Sequence, residues 1–146
     1  MRHGILLLVL SVLASCATTK TPLPTDNIDE LLGTWVNTEY DGPGMGTKSG
    51  KMVWKADGTY SEYRQSTFDR SFAEPAWEIK KKWKATNGEI YLVVFVDRFA
   101  SEGANYHYTI RLSPDRSYHE MMIHIKEAPV EIDPNDPAYR IYYRQK

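Results

Sequence analysis

The chain has 146 residues, a length typical of one domain, and 18 Lys and Arg against 19 Asp and Glu give a formal net charge of −1. A domain so close to neutral has no general field to attract nucleic acid, which excludes that class of partner. The single cysteine rules out an intrachain disulfide, so packing must hold the fold together. The 10 Tyr and 4 Trp are residue types favoured in β-sheets and in partly hydrated cavities.

The N-terminal residues follow the order of an export signal. Arg2 precedes an apolar run from Ile5 to Leu13, and small residues come directly afterwards. The run is shorter than the roughly 20 apolar residues of a membrane-spanning helix. Residues 1–15 are therefore predicted to be a signal peptide that ends before Cys16. A lone exported cysteine could otherwise be a free thiol or an intermolecular disulfide partner.

Leu13-Ala14-Ser15-Cys16 resembles the lipobox of bacterial lipoproteins. The resemblance implies that the sulfur of Cys16 carries diacylglycerol and that the new N-terminus receives a further acyl chain such as palmitate. Two or more chains hold a protein on a bilayer, whereas one anchors it only marginally. Ala17 stands where inner-membrane lipoproteins carry an aspartate, which implies an outer-membrane anchor facing the periplasm. A signal peptide without lipid is the alternative.

The remainder of the chain divides into a tether and one domain. Residues 16–27 contain two prolines and little apolar surface, which predicts an extended tether, and the domain covers 28–146. Asp26 or Asn27 is expected to cap a single helical turn. Later short runs rich in Val, Ile, Tyr and Trp alternate with turn signals, which predicts an all-β domain. The predicted strands are 33–40, 51–56, 59–65, 77–86, 89–97, 105–113, 118–126 and 139–145.

Three turns predict the strand registers. Asn87-Gly88 is typical of a two-residue hairpin loop. A four-residue loop between Ser113 and Tyr118 keeps apolar residues on one face, whereas a three-residue loop does not. Ala56-Asp57-Gly58 should bring two aromatic strands together. The first turn pairs Ile79, Lys81 and Trp83 with Val96, Val94 and Leu92. The second places Tyr106, Tyr108 and Ile110 on one face with Ile125, Ile123 and Met121, and His107 opposite His124 on the other.

Closing such a sheet buries its apolar face and removes its edges together. The sequence therefore predicts a small antiparallel up-and-down barrel of about eight strands, with a two-sheet sandwich as the alternative. Leu32-Gly33-Thr34-Trp35 resembles the Gly-x-Trp signature of lipocalins, and Ala56–Tyr60 and Trp83–Tyr91 are similar to bacterial lipocalin-like domains. The resemblance covers roughly residues 30–145. It implies that Trp35 closes one end of the barrel beneath Arg144, with Arg140 as second choice.

The inward-facing aromatic residues have two interpretations. They either line a pocket for a small apolar ligand or fill the barrel themselves. Lys81 falls among them and must meet an internal carboxylate, reach the barrel mouth, bind an anionic ligand, or turn outward at a bulge. The candidate ligand-binding residues are Trp54, Tyr60, Lys81, Trp83, Tyr106 and Tyr108.

The remaining motifs give little indication of a binding or catalytic site. Lys80, Lys82 and Lys84 are expected on the outer face, as a solvated surface or a docking face. His107 and His124 supply two imidazoles, too few for a zinc site, so no metal or other cofactor is predicted. No nucleophile lies in a recognisable catalytic setting, which argues against an enzyme.

The lipocalin resemblance implies a non-enzymatic domain that holds or shields a small hydrophobic molecule near the envelope membrane. The alternative is a filled barrel that binds another envelope protein through loops 41–50, 66–76 and 98–104.

Overall fold

The computed structural model describes residues 18–37, 49–64, 75–98, 103–127 and 131–146. The signal peptide and Cys16 lie outside these ranges. No helix occurs among the described residues, and the prediction of an all-β domain is confirmed. The strands are β1 Lys20–Pro22, β2 Gly33–Val36, β3 Ser49–Trp54, β4 Tyr60–Arg64, β5 Trp77–Ala85, β6 Ile90–Val96, β7 Tyr106–Leu112, β8 Tyr118–His124 and β9 Tyr139–Arg144.

All nine strands belong to one antiparallel sheet of order β1-β5-β6-β7-β8-β9-β2-β3-β4. Trp54 on β3 and Tyr108 on β7 are four strand spacings apart in this order, about 19 Å in a flat sheet. Their ring centroids are only 6.0 Å apart, so the sheet is strongly curled. Among the described residues, strand pairing leaves β1 and β4 as the edges of the sheet and does not close it. An isolated antiparallel bridge, Thr59 to Ala76, connects the segments that precede β4 and β5.

The two ends of the curled sheet differ in their connections. One end, called the base, carries the short turns between β3 and β4, β5 and β6, and β7 and β8. The other end, called the rim, is where the longer connections 37–48, 65–76, 97–105 and 125–138 leave their strands. Most of the predicted partner loops 41–50, 66–76 and 98–104 fall outside the described residues.

The β7–β8 hairpin has the predicted register. The Ser113 N–H donates to the Tyr118 carbonyl at 3.0 Å, which defines the four-residue loop. Tyr108 pairs with Ile123 and His107 with His124. The β3–β4 turn also lies as predicted, because Trp54 pairs with Tyr60.

The predicted register of the β5–β6 hairpin is wrong by one residue next to its turn. The Ala85 N–H donates to the Glu89 carbonyl at 2.9 Å, so the loop contains three residues and ends at Gly88. Gly88 has a φ of 88°, in the left-handed region that glycine adopts without strain. This loop pairs Lys82 with Leu92, instead of Trp83 with Leu92.

A β-bulge on β5 restores the predicted facing in the rim half of the strand, although the pairing there is off by two residues, with Ile79 opposite Val94 and not Val96. The bulge lies between Ile79 and Lys81. Ile79 therefore faces inward as predicted. Lys81 does not, because the bulge turns it to the outer face, which was one of the alternatives the sequence left open.

Residues predicted as a tether form part of the sheet. β1 pairs with β5 in the register Lys20 to Ala85. The Thr86 N–H donates to the Thr19 carbonyl at 3.1 Å, and the Leu23 N–H donates to the Lys82 carbonyl at 2.9 Å. An extended, apolar-poor segment can serve as an edge strand because its backbone supplies the hydrogen bonds.

The predicted helical turn before β2 is a single hydrogen-bonded turn and not a helix. The Leu31 N–H donates to the Ile28 carbonyl at 3.1 Å. The Asn27 side chain accepts the Asp29 N–H at 3.0 Å, as expected of a capping residue. The turn places Leu31, which is fully buried, across the base.

The connection between β8 and β9 covers part of the outer face. Val93, Thr109 and Met122 lie in one row across β6, β7 and β8, and all three are buried. The Asp133 N–H approaches the Met122 sulfur at 3.3 Å. Glu131 reaches back to β1, where its carboxylate pairs with Lys20 at 2.6 Å. The outer surface around β6 and β7 is thus not simply solvated.

Candidate functional site

Four aromatic rings meet in the interior. Trp54 has its ring centroid 4.6 Å from that of Tyr60 and 5.1 Å from that of Trp77. Tyr108 completes the group, 6.0 Å from Trp54 and 6.3 Å from Tyr60. These separations are those of rings in direct contact. The interior of the curled sheet between β3, β4, β5 and β7 is therefore occupied by side chains at this level.

A buried polar cluster lies beside these rings on the rim side. The Tyr60 hydroxyl donates to the Glu62 carboxylate at 3.0 Å, and Arg98 forms an ion pair with the same carboxylate. The Arg98 guanidinium carbon lies 5.0 Å from the Tyr60 ring and 5.5 Å from the Tyr106 ring. Burial, together with the charge of Glu62, raises the pKa of Tyr60 well above its ordinary value. Burial likewise raises the pKa of Tyr108.

Sequence reasoning missed Glu62 and Arg98, although a signal for both exists. Glu62 is two residues after the inward-facing Tyr60, and Arg98 is two residues after the inward-facing Val96. Alternation alone therefore places both side chains inside. Glu62 lies within the predicted strand 59–65, and Arg98 directly follows the predicted strand 89–97.

The predicted ligand-binding residues divide into two groups. Trp54, Tyr60 and Tyr108 lie in the core, and Tyr106 packs against it. Trp83 was predicted to point inward, and this prediction is wrong; Lys81 turns outward at the bulge, which was one of the alternatives left open for it, and so does not line the interior. The register shift at the base moves Trp83 out of the core to a half-buried place between Tyr91 and β1. Lys81 has an exposed side chain whose Nζ lies 3.9 Å from Glu127.

Lys82 is the lysine that faces inward. It is 4% exposed, and its ammonium group donates to Glu30 at 2.8 Å and to the Asn27 carbonyl at 2.7 Å. A buried ammonium is tolerated only when it is paired and hydrogen-bonded, and both conditions hold here. The internal lysine therefore fixes the segment before β2 to the sheet and does not require an anionic ligand. Lys82 was wrongly predicted on the outer face.

Trp35 and Arg144 lie together at the base, as the lipocalin resemblance implies. Trp35 is fully buried and donates its indole N–H to the Leu31 carbonyl at 2.8 Å. The Arg144 guanidinium carbon stands 4.6 Å from the Trp35 ring, and Nη2 donates to the Glu30 carbonyl at 2.7 Å. Arg140, the second choice, donates instead to the Pro137 carbonyl.

His119 is a further buried polar residue at the base. Its ring is stacked on Tyr142 at 5.3 Å and lies edge-on to Trp35 at 4.5 Å. Neither ring nitrogen has a hydrogen-bond partner within the described part of the chain. Burial, with the charge of Arg144 adding to it, lowers the pKa of His119 to about 3. The ring is therefore neutral and acts as a packing group.

Metal chemistry finds no support in the ranges described above, where no group of three or more His, Cys, Asp and Glu side chains is placed to hold an ion. His107 and His124 pair across β7 and β8, but nothing among these residues joins them as a third ligand. In the same ranges, no helix has the length and apolar character to cross a membrane.

No protein family's sequence profile matches the chain, and no curated protein or solved structure is recognisably similar to it. The resemblance to lipoproteins and lipocalins stays a prediction based on the residues.

Proposed function

We propose that the chain is a lipid-anchored lipoprotein of the cell envelope whose lipocalin-like domain is a non-enzymatic, filled-barrel module that binds another envelope protein. The observation that carries the second half of this proposal is the contact of Trp54, Tyr60, Trp77 and Tyr108 across the interior. Rings that touch one another leave no room at that level for the small apolar ligand expected from the lipocalin resemblance.

The lipid anchor is proposed at Cys16, on the lipobox resemblance. The domain would be held at the outer membrane facing the periplasm. Replacing Cys16 with Ser removes the acceptor sulfur, so the protein should move from the membrane fraction to the soluble fraction. Membrane fractionation that is unchanged by Cys16→Ser would contradict the anchor.

The partner surface is proposed at the rim. The hairpin turns at the base have four or five residues, and the ten-residue segment 23–32 is held there by its contacts with Lys82 and Trp35, whereas the connections at the rim have nine or more residues. Long connections on a rigid scaffold are where binding residues concentrate. The packed interior and the base then serve as the scaffold for that surface.

In-cell photo-crosslinking of the full chain tests this proposal. A photoreactive amino acid replaces Ile125 at the rim or Asn87 at the base; both positions are exposed. The rim position should give an adduct with one discrete envelope protein, identified by mass spectrometry, and the base position should not. Equal adducts from both positions, or none from the rim, would refute a rim-directed partner.

A small ligand remains the second candidate because of one observation. The buried Glu62–Arg98 pair and the ring of Tyr106 form a polar and aromatic cluster beneath the rim. A ligand with an apolar body and a polar head suits such a cluster. Native mass spectrometry of the full chain with oleate separates the candidates: the filled-barrel proposal predicts no adduct. A 1:1 adduct that is lost in Arg98→Met would establish the ligand function instead.

A further inference from the structure

We infer that the base of the barrel lies against the membrane surface, with the exposed rings of Tyr118 and Tyr143 in the lipid headgroup layer. The inference rests on the proposed anchor at Cys16 and adds which face of the domain that anchor holds to the bilayer. The occupant of this surface is therefore a phospholipid bilayer and not a protein.

The docked N-terminal segment leaves very little chain between the lipid and the domain. Thr19 is held at the base by the hydrogen bond from the Thr86 N–H. Only Ala17 and Thr18 separate it from Cys16. Three residues span at most about 11 Å when fully extended. The headgroup layer on each side of a bilayer is itself about 5–8 Å deep. A domain attached by so short a segment must lie against the membrane surface. Because Thr19 is at the base, the base is the end of the domain nearest the membrane.

The attachment point and the two tyrosines share one continuous surface. The turn after β5 lies beside the loop after β7, with Gly88 next to the Pro114 ring. Arg116 strengthens this contact by donating from Nη1 to the Gly88 carbonyl at 3.3 Å. The same loop then meets β9, where the Arg144 N–H donates to the Ser117 carbonyl at 2.8 Å. The turn after β5, the loop after β7 and the base ends of β8 and β9 therefore form one continuous surface.

Tyr118 and Tyr143 stand at those strand ends, opposite each other in the register of β8 and β9. Their side chains are 37% and 40% exposed, and their ring centroids are 6.3 Å apart. Tyrosine combines an apolar ring with a hydroxyl and is enriched at the headgroup level of membrane proteins. A pair of half-exposed tyrosines beside a short lipid tether therefore has a bilayer as its natural contact.

Depth-dependent fluorescence quenching of the full, lipidated chain tests the inference. The chain is reconstituted in vesicles of phosphatidylethanolamine and phosphatidylglycerol that also contain a lipid with a nitroxide near its headgroup. Tyr118→Cys and Tyr143→Cys each receive an environment-sensitive fluorophore, which is selective because acylated Cys16, the only native cysteine, no longer has a free thiol. Ile125→Cys is the matched control, since it directly follows β8 at the rim and is 67% exposed.

The fluorophores at positions 118 and 143 should lose emission to the nitroxide and shift to the blue, and the fluorophore at position 125 should do neither. Quenching at position 125 equal to that at position 118, or no quenching at either tyrosine position, overturns the inference. The intact mass of each preparation is measured first. A chain without acyl chains and without vesicle association overturns the anchor and the inference together. An acylated chain that is not quenched at the base overturns only the inference.

Discussion

Neighbouring lysines on β5 have opposite surroundings. Lys82 is buried and bonded to Glu30 and Asn27, whereas Lys81 is exposed on the other side of the strand. Lys82→Met should lower the free energy of unfolding by about 1–3 kcal/mol, because it removes two hydrogen bonds and leaves Glu30 without its counter-ion. Lys81→Met should change it by less than about 0.5 kcal/mol. Urea unfolding followed by tryptophan fluorescence measures both.

Two outcomes are informative about the lysine pair. Equal effects of Lys81→Met and Lys82→Met would contradict the bulged register of β5. The double variant Glu30→Gln, Lys82→Met should recover part of the loss, because it removes the uncompensated carboxylate together with the ammonium group.

His119 should make the fold sensitive to acid. Its folded pKa of about 3 lies below the ordinary value of 6.5, so below pH 6.5 the unfolded chain binds a proton that the folded chain excludes. Stability contributed by the neutral ring is complete above pH 6.5 and is lost as the pH falls towards 3. The loss amounts to about 1.4 kcal/mol per pH unit within this window.

His119→Leu preserves the volume of the side chain and removes its titration. We expect equal or higher stability at pH 8, because two polar atoms without partners among the described residues are replaced by apolar ones. Denaturant unfolding at pH 8, 6, 5 and 4 should show a shallower acid decline than in the unaltered protein. An unchanged decline between pH 6 and 4 would show that His119 is not the group responsible.

At the scale of elements, β1 protects the edge of β5. A chain that begins at Leu23 lacks β1, whereas a chain that begins at Thr18 keeps it, and both lack the lipid site. The shorter chain should have a lower melting temperature and should associate at high concentration, because an uncovered strand edge pairs with another molecule. Thermal unfolding and sedimentation measure the two effects. Identical behaviour of both chains would mean that the β1 pairing contributes nothing.

The hairpins show which registers a sequence can specify. Only one loop length between Ser113 and Tyr118 keeps Tyr108 with Ile123 on the inside, so alternation determines that register. Both a two-residue and a three-residue loop place Gly88 at a positive φ, and the Asn-Gly signal cannot choose between them. The bulge before Lys81 then restores the inward position of Ile79, so both ends of β5 look regular in the sequence.

β1 shows a second limit of sequence reasoning. Lys20-Thr21-Pro22 has neither apolar alternation nor β-branched enrichment, yet it pairs with β5 as an edge strand of the sheet. The pairing of β1 depends on the position of β5 in the folded protein, so no pattern within residues 20–22 predicts it. The contact between Trp35 and Arg144 could be predicted from the resemblance to lipocalins. In that family, a Trp at the start of the first strand packs beneath an Arg from the last strand.

At the scale of the whole molecule, we propose different tasks for the two ends of the curled sheet. The base contains the closure by Trp35 and Arg144, the Lys82 contacts and the attachment of β1, which are all structural contacts. The rim carries the long connections. In the proposed arrangement, with the base held at the membrane, the rim would face the periplasm, where the proposed envelope partner could reach it.

The most direct test of the packed interior is a nuclear Overhauser measurement between the rings of Trp54 and Tyr108 in the full chain. These residues are on strands four places apart in the sheet, and their rings are in contact only if the sheet curls and its centre is filled by side chains. The account predicts cross-peaks between the two rings that persist when oleate is added. Missing cross-peaks, or cross-peaks that vanish with oleate, would contradict it.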